Sequence, residues 1–321
     1  MKTHQRMRFS VKRLAWIALG ALVTSQPGTA AERGAEKVRI AVSSKSLGFF
    51  DTWAARERGF YRNHGLEAEI IAMRPPVAAA ALQAGEIDYN FGANTTLRAS
   101  LSGLPVKIVS LSVRSSFHTL TARSAIKSIA DLKGKVIAVT IGAADDVVAR
   151  HLVRRGGLDP RDVQFISMAG SDSRYQALLA GSIDATALSL PFFIVAKRQG
   201  FNLLGTAVDV LEMATVGIGT STRKIQHERE QVKKMVRAQL DTLRWIKYQK
   251  AEAIQFLQRF FGLDEGVAAE SHELYARLIV EDARPLPSAV KTVLEQEGKG
   301  QTPLDRVVET AIVEEVLRER R

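Results

Sequence analysis

Short apolar runs and stretches of helical spacing take turns along the chain. The pattern predicts a strand at Val38–Val42, a helix near Thr52–Arg58, a strand at Ala68–Ala72, a helix at Val77–Ala84 and a strand at Ile87–Phe91. Strands that alternate with helices pair in parallel, because each helix carries the chain back to the edge where the last strand began. The order then recurs, with a strand at Val136–Thr140, a helix near Ala144–Arg155, a strand at Val163–Ser167, a helix at Arg174–Ala180 and a strand at Ile183–Leu188. Such recurrence marks an internal repeat. Ala81-Leu-Gln-Ala-Gly-Glu-Ile-Asp88 matches Ala177-Leu-Leu-Ala-Gly-Ser-Ile-Asp184, and Gly65-Leu66 through Met73 matches Gly157-Leu158 through Met168. A glycine that ends a helix in the left-handed conformation gives Gly85 and Gly181 structural roles, with Asp88 and Asp184 opening the next strands.

Two similar α/β units make two lobes, and small-molecule sites form where domains meet. A strand at Val106–Val113 and the segment Phe117–Ala122 carry the chain into the second lobe, whose first strand follows the turn Asp131-Leu-Lys-Gly-Lys135. A β-rich stretch at Ala214–Ser221 returns to the first lobe. Helical spacing then runs through Gln226–Phe261, Glu265–Val280, Pro287–Glu297 and Pro303–Arg320. The expected division is a leader at residues 1–31, the first part of lobe 1 at 32–118, lobe 2 at 119–206, and a return to lobe 1 with the C-terminal helices at 207–321.

The leader is read from a basic start, MKTHQRMRFSVKR, an apolar run Leu14–Val23 and small residues that offer cleavage after Ala30 or Ala31. That run is about half of what a bilayer-spanning helix needs. The formal charge is +11, from 45 basic and 34 acidic residues. Lys2, Arg6, Arg8, Lys12 and Arg13 supply five of those positive charges, leaving 40 against 34, or +6, on the rest. The remaining excess is scattered, which argues against nucleic-acid binding. With no cysteine there is no disulfide, thiolate metal site or lipid-bearing cysteine. A monomer released into the periplasm is the expectation.

Catalytic signatures are missing. The first strand ends in Ser43-Ser44-Lys45-Ser46 without a dinucleotide fingerprint, and no P-loop, His-Glu-x-x-His or Gly-x-Ser-x-Gly occurs. His64, His118, His151, His227 and His272 lack metal-ligand spacing. No catalytic residue, metal or cofactor is expected.

Several segments do carry a resemblance. Ser46-Leu-Gly-Phe-Phe-Asp-Thr-Trp-Ala-Ala-Arg-Glu-Arg-Gly-Phe-Tyr61, followed by His64-Gly-Leu66, resembles the helix and turn after the first strand in binding proteins for nitrate, taurine, aliphatic sulfonates and thiamine-precursor pyrimidines. Ile126-Lys-Ser-Ile-Ala-Asp-Leu-Lys-Gly-Lys135 and the paired Ala-Gly-x-Ile-Asp units are similar to the lobes of that family, over about residues 37–260. The resemblance implies an α/β, two-lobed periplasmic-binding-protein fold of the class with two crossovers, each lobe a mostly parallel sheet flanked by helices. It also implies a small-molecule ligand and, as partners, the permease and ATPase subunits of an ABC importer. A periplasmic sensor on the same fold is the alternative, and a thiamine-pyrimidine-type enzyme is disfavoured because those enzymes depend on a cysteine-rich segment.

In open parallel sheets the ligand lies beyond the carboxyl ends of the strands, near helix N-termini. That rule selects Ser43, Ser44 and Ser46 after the first strand, Asn94 and Thr95 after the third, Gly142, Ala143 and Asp145 after the first strand of lobe 2, and Ser189 and Phe192 after Leu188. Arg114 is placed near the cleft as its cation, with Phe49, Trp53, Phe117 and Phe192 as candidate apolar walls. Asn94 and Thr95 could equally cap a helix, and Asp145 with Asp146 could complement a helix dipole. In the family those positions tend to carry hydroxyls, so the acids leave a sulfonate, a carboxylate or a heterocycle open as the solute.

Overall fold

The computed structural model describes residues 34–168 and 170–320. The leader expected at residues 1–31 lies outside them. The first sheet contains β1 (Glu36–Val42), β2 (Leu66–Ala72), β3 (Tyr89–Gly92), β4 (Val106–Ile108) and β10 (Val216–Ser221), in the order β2-β1-β3-β10-β4. The second contains β5 (Thr119–Ala122), β6 (Val136–Val139), β7 (Gln164–Ser167), β8 (Ala185–Leu188) and β9 (Asn202–Thr206), in the order β7-β6-β8-β5-β9. The orders correspond strand for strand. In each sheet three neighbours run parallel, and the fourth position holds a reversed strand, β10 or β5, that has just crossed from the other lobe.

Helices α1 (Phe50–Glu57), α2 (Phe60–Asn63), α3 (Pro75–Ala84) and α4 (Ala93–Leu101) belong to the first lobe, and α5 (Ala144–Arg155), α6 (Ser171–Leu179) and α7 (Phe192–Arg198) to the second. The repeat markers act as the sequence predicts. Gly85 and Gly181 have φ of 76° and 72°, where a Cβ would be strained. Asp88 accepts from the Arg39 amide of β1 at 2.7 Å, and Asp184 from the Val136 amide of β6 at 2.9 Å. Each aspartate therefore ties the third strand of its lobe to the first.

Beyond β10 come α8 (Thr222–His227), α9 (Arg229–Tyr248), α10 (Lys250–Phe261), α11 (Glu265–Leu278), α12 (Pro287–Gln296), α13 (Leu304–Val307) and α14 (Ala311–Glu319). Val232, Val236, Leu243 and Ile246 form the buried face of α9. Phe50 of α1 packs within 5.6 Å of Phe256 and 5.2 Å of Tyr275, so α10 and α11 close over the first lobe.

Among the boundaries that differ from expectation, three share one reason; the stretch expected over Gln226–Phe261 is separately divided into α8, α9 and α10. The strand expected at Val106–Val113 stops at Ile108, the helix expected to reach Val280 stops at Leu278, and the helix expected over Pro303–Arg320 is split into α13 and α14. Past Ile108 the backbone divides its hydrogen bonds: Val109 and Ser112 donate to Ile218 and Val216 of β10, while Leu111 and Arg114 donate to Ala283 and Leu278. Ile279 and Val280 are drawn out of helix to bond the same segment, through the Val113–Ile279 bridge and the Val280 amide on Ser112. Val308 likewise leaves helix to bridge Ile108 at the sheet edge. Unpaired backbone groups of an edge strand and of a crossover were satisfied at the expense of helix ends.

Residues 109–118 and 207–215 are thus two crossovers lying side by side. Met213 donates to Arg114, Ala207 to His118, and Thr215 Oγ1 to the Ser115 carbonyl at 2.9 Å. A buried polar chain holds the first crossover to lobe 1. Ser112 Oγ donates to the Asp51 carboxylate and receives from Gln239 Nε2 at 2.8 Å, while Ser110 Oγ donates to Gln239 Oε1 at 2.6 Å.

Gly217 leaves no room for a side chain, since a Cβ there would stand 2.2 Å from the Ser110 carbonyl oxygen and 2.8 Å from Leu111 Cα. Gly217→Ala is expected to lower stability by about 1–3 kcal/mol through overpacking against backbone, read as a fall in the urea midpoint. Burial raises the Asp51 carboxyl above its ordinary 3.8, against the bonds from Ser112 and Thr52. A carboxyl with a raised folded-state pKa contributes most below its unfolded value and loses that contribution as pH rises through the folded one. Asp51→Asn keeps an acceptor without the charge, so its stability relative to the parent should increase steadily with pH from acid towards neutral. A pH-independent difference in urea midpoints would contradict this.

Candidate functional site

Arg174 organises the strand ends of the second lobe. It projects from the first turns of α6 and is 2% exposed. Nη1 donates to Thr140 Oγ1 and to the Met168 carbonyl, both at 2.9 Å, and Nη2 to Ser171 Oγ at 3.1 Å and the Ala187 carbonyl at 3.2 Å. Its partner in charge is Asp145, 3.2 Å away and also buried. One guanidinium therefore joins the ends of β6, β7 and β8 to the starts of α5 and α6. Ser189 completes the cluster by donating from both its amide and Oγ to Ser171 Oγ, at 3.2 and 3.0 Å.

β5 runs against β8, with Thr119 opposite Leu188. His118, one residue before β5, consequently stands level with Ser189, one residue beyond β8. Ser116 Oγ lies 2.6 Å from His118 Nδ1. Burial pushes this imidazole down to about 4; Asp145 opposes the shift and Arg174 adds to it. His118 is neutral at physiological pH.

In the first lobe Asn90 folds the turn after β3: its amide nitrogen donates to the Gly92 carbonyl at 3.1 Å and to Thr96 Oγ1 at 3.2 Å, and its oxygen accepts from the Gly92 amide. Asn94 and Thr95 follow at the start of α4, both half-buried, with Asn94 Oδ1 accepting from the Thr95 amide at 2.8 Å. One turn on, Arg98 donates across to the Gly142 carbonyl of lobe 2 and pairs with Glu297 at 2.8 Å. The start of α4 and the loop before α5 therefore face each other.

The residues selected from sequence divide accordingly. Asn94 and Thr95 open α4, Gly142 is reached from that helix by Arg98 with Ala143 beside it at the start of α5, and Ser189 stands past β8 in the Arg174 cluster. Ser43 and Ser44 are exposed and Ser46 half-buried at the end of β1, where Lys45 lies over the Phe260 ring at 4.4 Å. Asp145 lies beneath the junction: it accepts from the Thr140 amide at 2.6 Å and is balanced by Arg174. Asp146 accepts from the Gly142 amide at 3.0 Å and from Arg150 Nε at 2.6 Å. Both acids are committed within the protein, so neither stands as an uncompensated charge against an anion. Arg114 is exposed on the first crossover, its side chain without a partner among the described residues. Phe192 is half-buried against Tyr175, 5.7 Å between ring centres. Phe49, Trp53 and Phe117 are core residues rather than cleft walls; Phe117 stacks on Tyr275 at 4.9 Å.

Sequence reasoning missed Arg174, Thr140, Ser171, His118 and Arg98. A signal existed for the first: the repeat aligns Arg174 with Ala78, a buried alanine on the apolar face of α3. A charge at a buried position in one copy alone marks a task that the other copy lacks.

A concavity of about 730 Å³ lies away from the strand ends, lined by Phe60, Trp245, Tyr248, Ile279, Leu317 and Arg320. It shares no residue with the junction. No group of His, Asp or Glu among the described residues is placed to hold a metal ion, and no described helix is long and apolar enough to cross a membrane.

Two sheets of matching order, joined by two crossovers and facing each other through their strand ends, define the two-lobed periplasmic-binding-protein fold. The NMT1/THI5 like family matches residues 48–253, and the chain belongs to it. A putative binding protein of Brucella abortus is 30% identical over 190 residues, 59% of each chain, so the match spans under two thirds of that relative. Among solved structures, the alkanesulfonate-binding protein SsuA of Xanthomonas axonopodis, bound to MOPS, superposes with a TM-score of 0.67 at 20% identity, covering 85% of this chain and 96% of that one. The desulfurization enzyme DSZB superposes at 0.65 with 16% identity, covering 89% and all (100%) of the respective chains. These two likenesses establish fold.

Removing Arg174 strands a buried carboxylate. Arg174→Ala is expected to cost about 3–5 kcal/mol, as breaking one side of a buried ion pair does, whereas Arg174→Met with Asp145→Leu should cost clearly less. Chemical denaturation of the three proteins measures both.

Proposed function

We propose that this chain is the periplasmic solute-binding component of an ABC importer, exported by a leader at residues 1–31 and delivering its solute to permease and ATPase partners. The observation that carries the reading is the approach of the α4 start to the loop before α5: half-buried Asn94 and Thr95 belong to one lobe and the exposed Gly142, whose carbonyl Arg98 reaches directly, to the other, with half-buried Ser189 past the matching strand of lobe 2. A cleft of this kind closes on a small solute by motion about the crossovers. The binding-protein names of relatives support capture and delivery. The solute is a small organic molecule of sulfonate, carboxylate or heterocycle type, gripped by backbone amides and hydroxyls near α4, α5 and α6. Ser43, Ser44, Ser46 and Phe192 line the approach, Arg114 is a cation near it, and Asp145 acts by shaping the loop before α5. The division into lobe 1 at 32–118, lobe 2 at 119–206 and the return at 207–321 follows the crossovers.

The reading is of binding without turnover. The DSZB likeness concerns fold, and this chain has no cysteine nucleophile. Purified mature protein screened against panels of sulfonates, carboxylates and heterocycles should show a rise in Tm with one class; at about 100 times Kd the stabilisation is roughly 2.7 kcal/mol. Asn94→Ala and Ser189→Ala should weaken that solute. Chemical conversion of the solute by the protein alone, or unchanged affinity in both variants, would refute the proposal.

A further inference from the structure

His118 has a ring nitrogen that the fold does not use. Nδ1 is held by Ser116 Oγ, while Nε2 has no partner among the described residues, although the residue is only partly exposed. Nε2 is thus open to an incoming hydrogen-bonding group. Two atoms of neighbouring residues, Thr119 Oγ1 and Arg174 Nε, are buried without partners. The surplus of hydrogen-bonding groups lies at the strand ends of lobe 2, level with Ser189.

The charges at the lobe 2 strand ends are matched, the exposed Arg114 lying apart from them on the first crossover. Asp145 pairs with Arg174 at 3.2 Å, Asp146 with Arg150 at 2.6 Å and Arg98 with Glu297 at 2.8 Å. Asp145 and Arg174 are also the charged groups that bear on His118, with opposite effects. An anion arriving here would lose water and find no unmatched cation in the lobe 2 wall; an uncharged polar group would lose less and still meet Nε2.

We propose that His118, on the first crossover beside the lobe 2 strand ends, is a specificity-determining contact, an imidazole fixed by Ser116 that presents Nε2 to the solute and selects an uncharged hydrogen-bonding head, such as an amide or heterocycle nitrogen, over a sulfonate or carboxylate. Ser116 is the positioning residue, because its hydroxyl fixes the ring; as it can donate to Nδ1 or accept from it, Nε2 can take either role toward the solute. The proposal rests on the strand-end cleft being the solute site.

Matched probes test it: benzamide against benzoate, and ethanesulfonamide against ethanesulfonate, titrated into the isotope-labelled mature protein and followed by NMR on the His118 ring and the amides of Asn94, Gly142 and Ser189. The uncharged member of at least one pair should bind at least tenfold tighter than its anion and shift both the ring and the amides. His118→Phe, which keeps a ring but not its nitrogens, should remove most of that preference, and Ser116→Ala should reduce it while the circular dichroism and Tm of the unliganded protein stay near the parent's. Tighter binding of the anions, or shifts at the three amides with none at His118, would overturn the proposal and leave the cleft in place. Shifts at none of these positions would remove the cleft reading as well.

Discussion

The backbone of Val109–Arg114 cannot serve one sheet alone, and much of the architecture follows from how its hydrogen bonds are shared. Two of its amides go to β10 and two to the segment around α11 and α12. Sharing stops β4 after Ile108, ends α11 at Leu278, and sets the first crossover in a groove formed by lobe 1 on one side and the C-terminal helices on the other. The return crossover bonds directly to the first, through Met213, Ala207 and Thr215, so the two lobes are coupled by paired crossovers as well as by buried apolar clusters that draw on both.

What could be read from the sequence was whatever local geometry decides. The glycine that closes α3 and the one that follows α6 need positive φ, the aspartates after them anchor a neighbouring strand, and both facts recur because the unit recurs. α5 runs from Ala144 to Arg155 as its spacing demands. What could not be read was decided by partners distant in sequence. Val308 is apolar and lies within a helical pattern, yet it serves as a bridge to Ile108, and nothing near it announces that β4 needs an edge partner. Phe49, Trp53 and Phe117 follow or precede strands as cleft residues do, but α10 and α11 cover them, and the sequence gives no measure of where those helices pack.

The candidate site shows the same division. That Asn94, Thr95, Gly142 and Ser189 lie past strand ends was reachable from strand order alone, since that position is a property of topology. Arg174 and His118 were not, because their significance depends on which groups surround them. Arg174 lies on a helix face that reads as apolar, and its role appears only when five acceptors from β6, β7, β8, α5 and α6 are seen to converge on it.

A comparison of the two lobes carries this further. Each has an aspartate at the second position of the helix after its first strand, Asp51 in α1 and Asp145 in α5, and both are buried. Asp51 meets no cation; its carboxylate receives hydroxyls and an amide, and it fastens the crossover. Asp145 meets Arg174 and fastens the strand ends. A buried carboxylate served by neutral donors can relieve its strain by taking up a proton, whereas one paired with a guanidinium meets a countercharge in place. The duplicated fold has therefore set an acid raised by burial against the first crossover and a buried ion pair at the strand ends of lobe 2, so the same helix position fastens a connection in one lobe and a strand-end surface in the other.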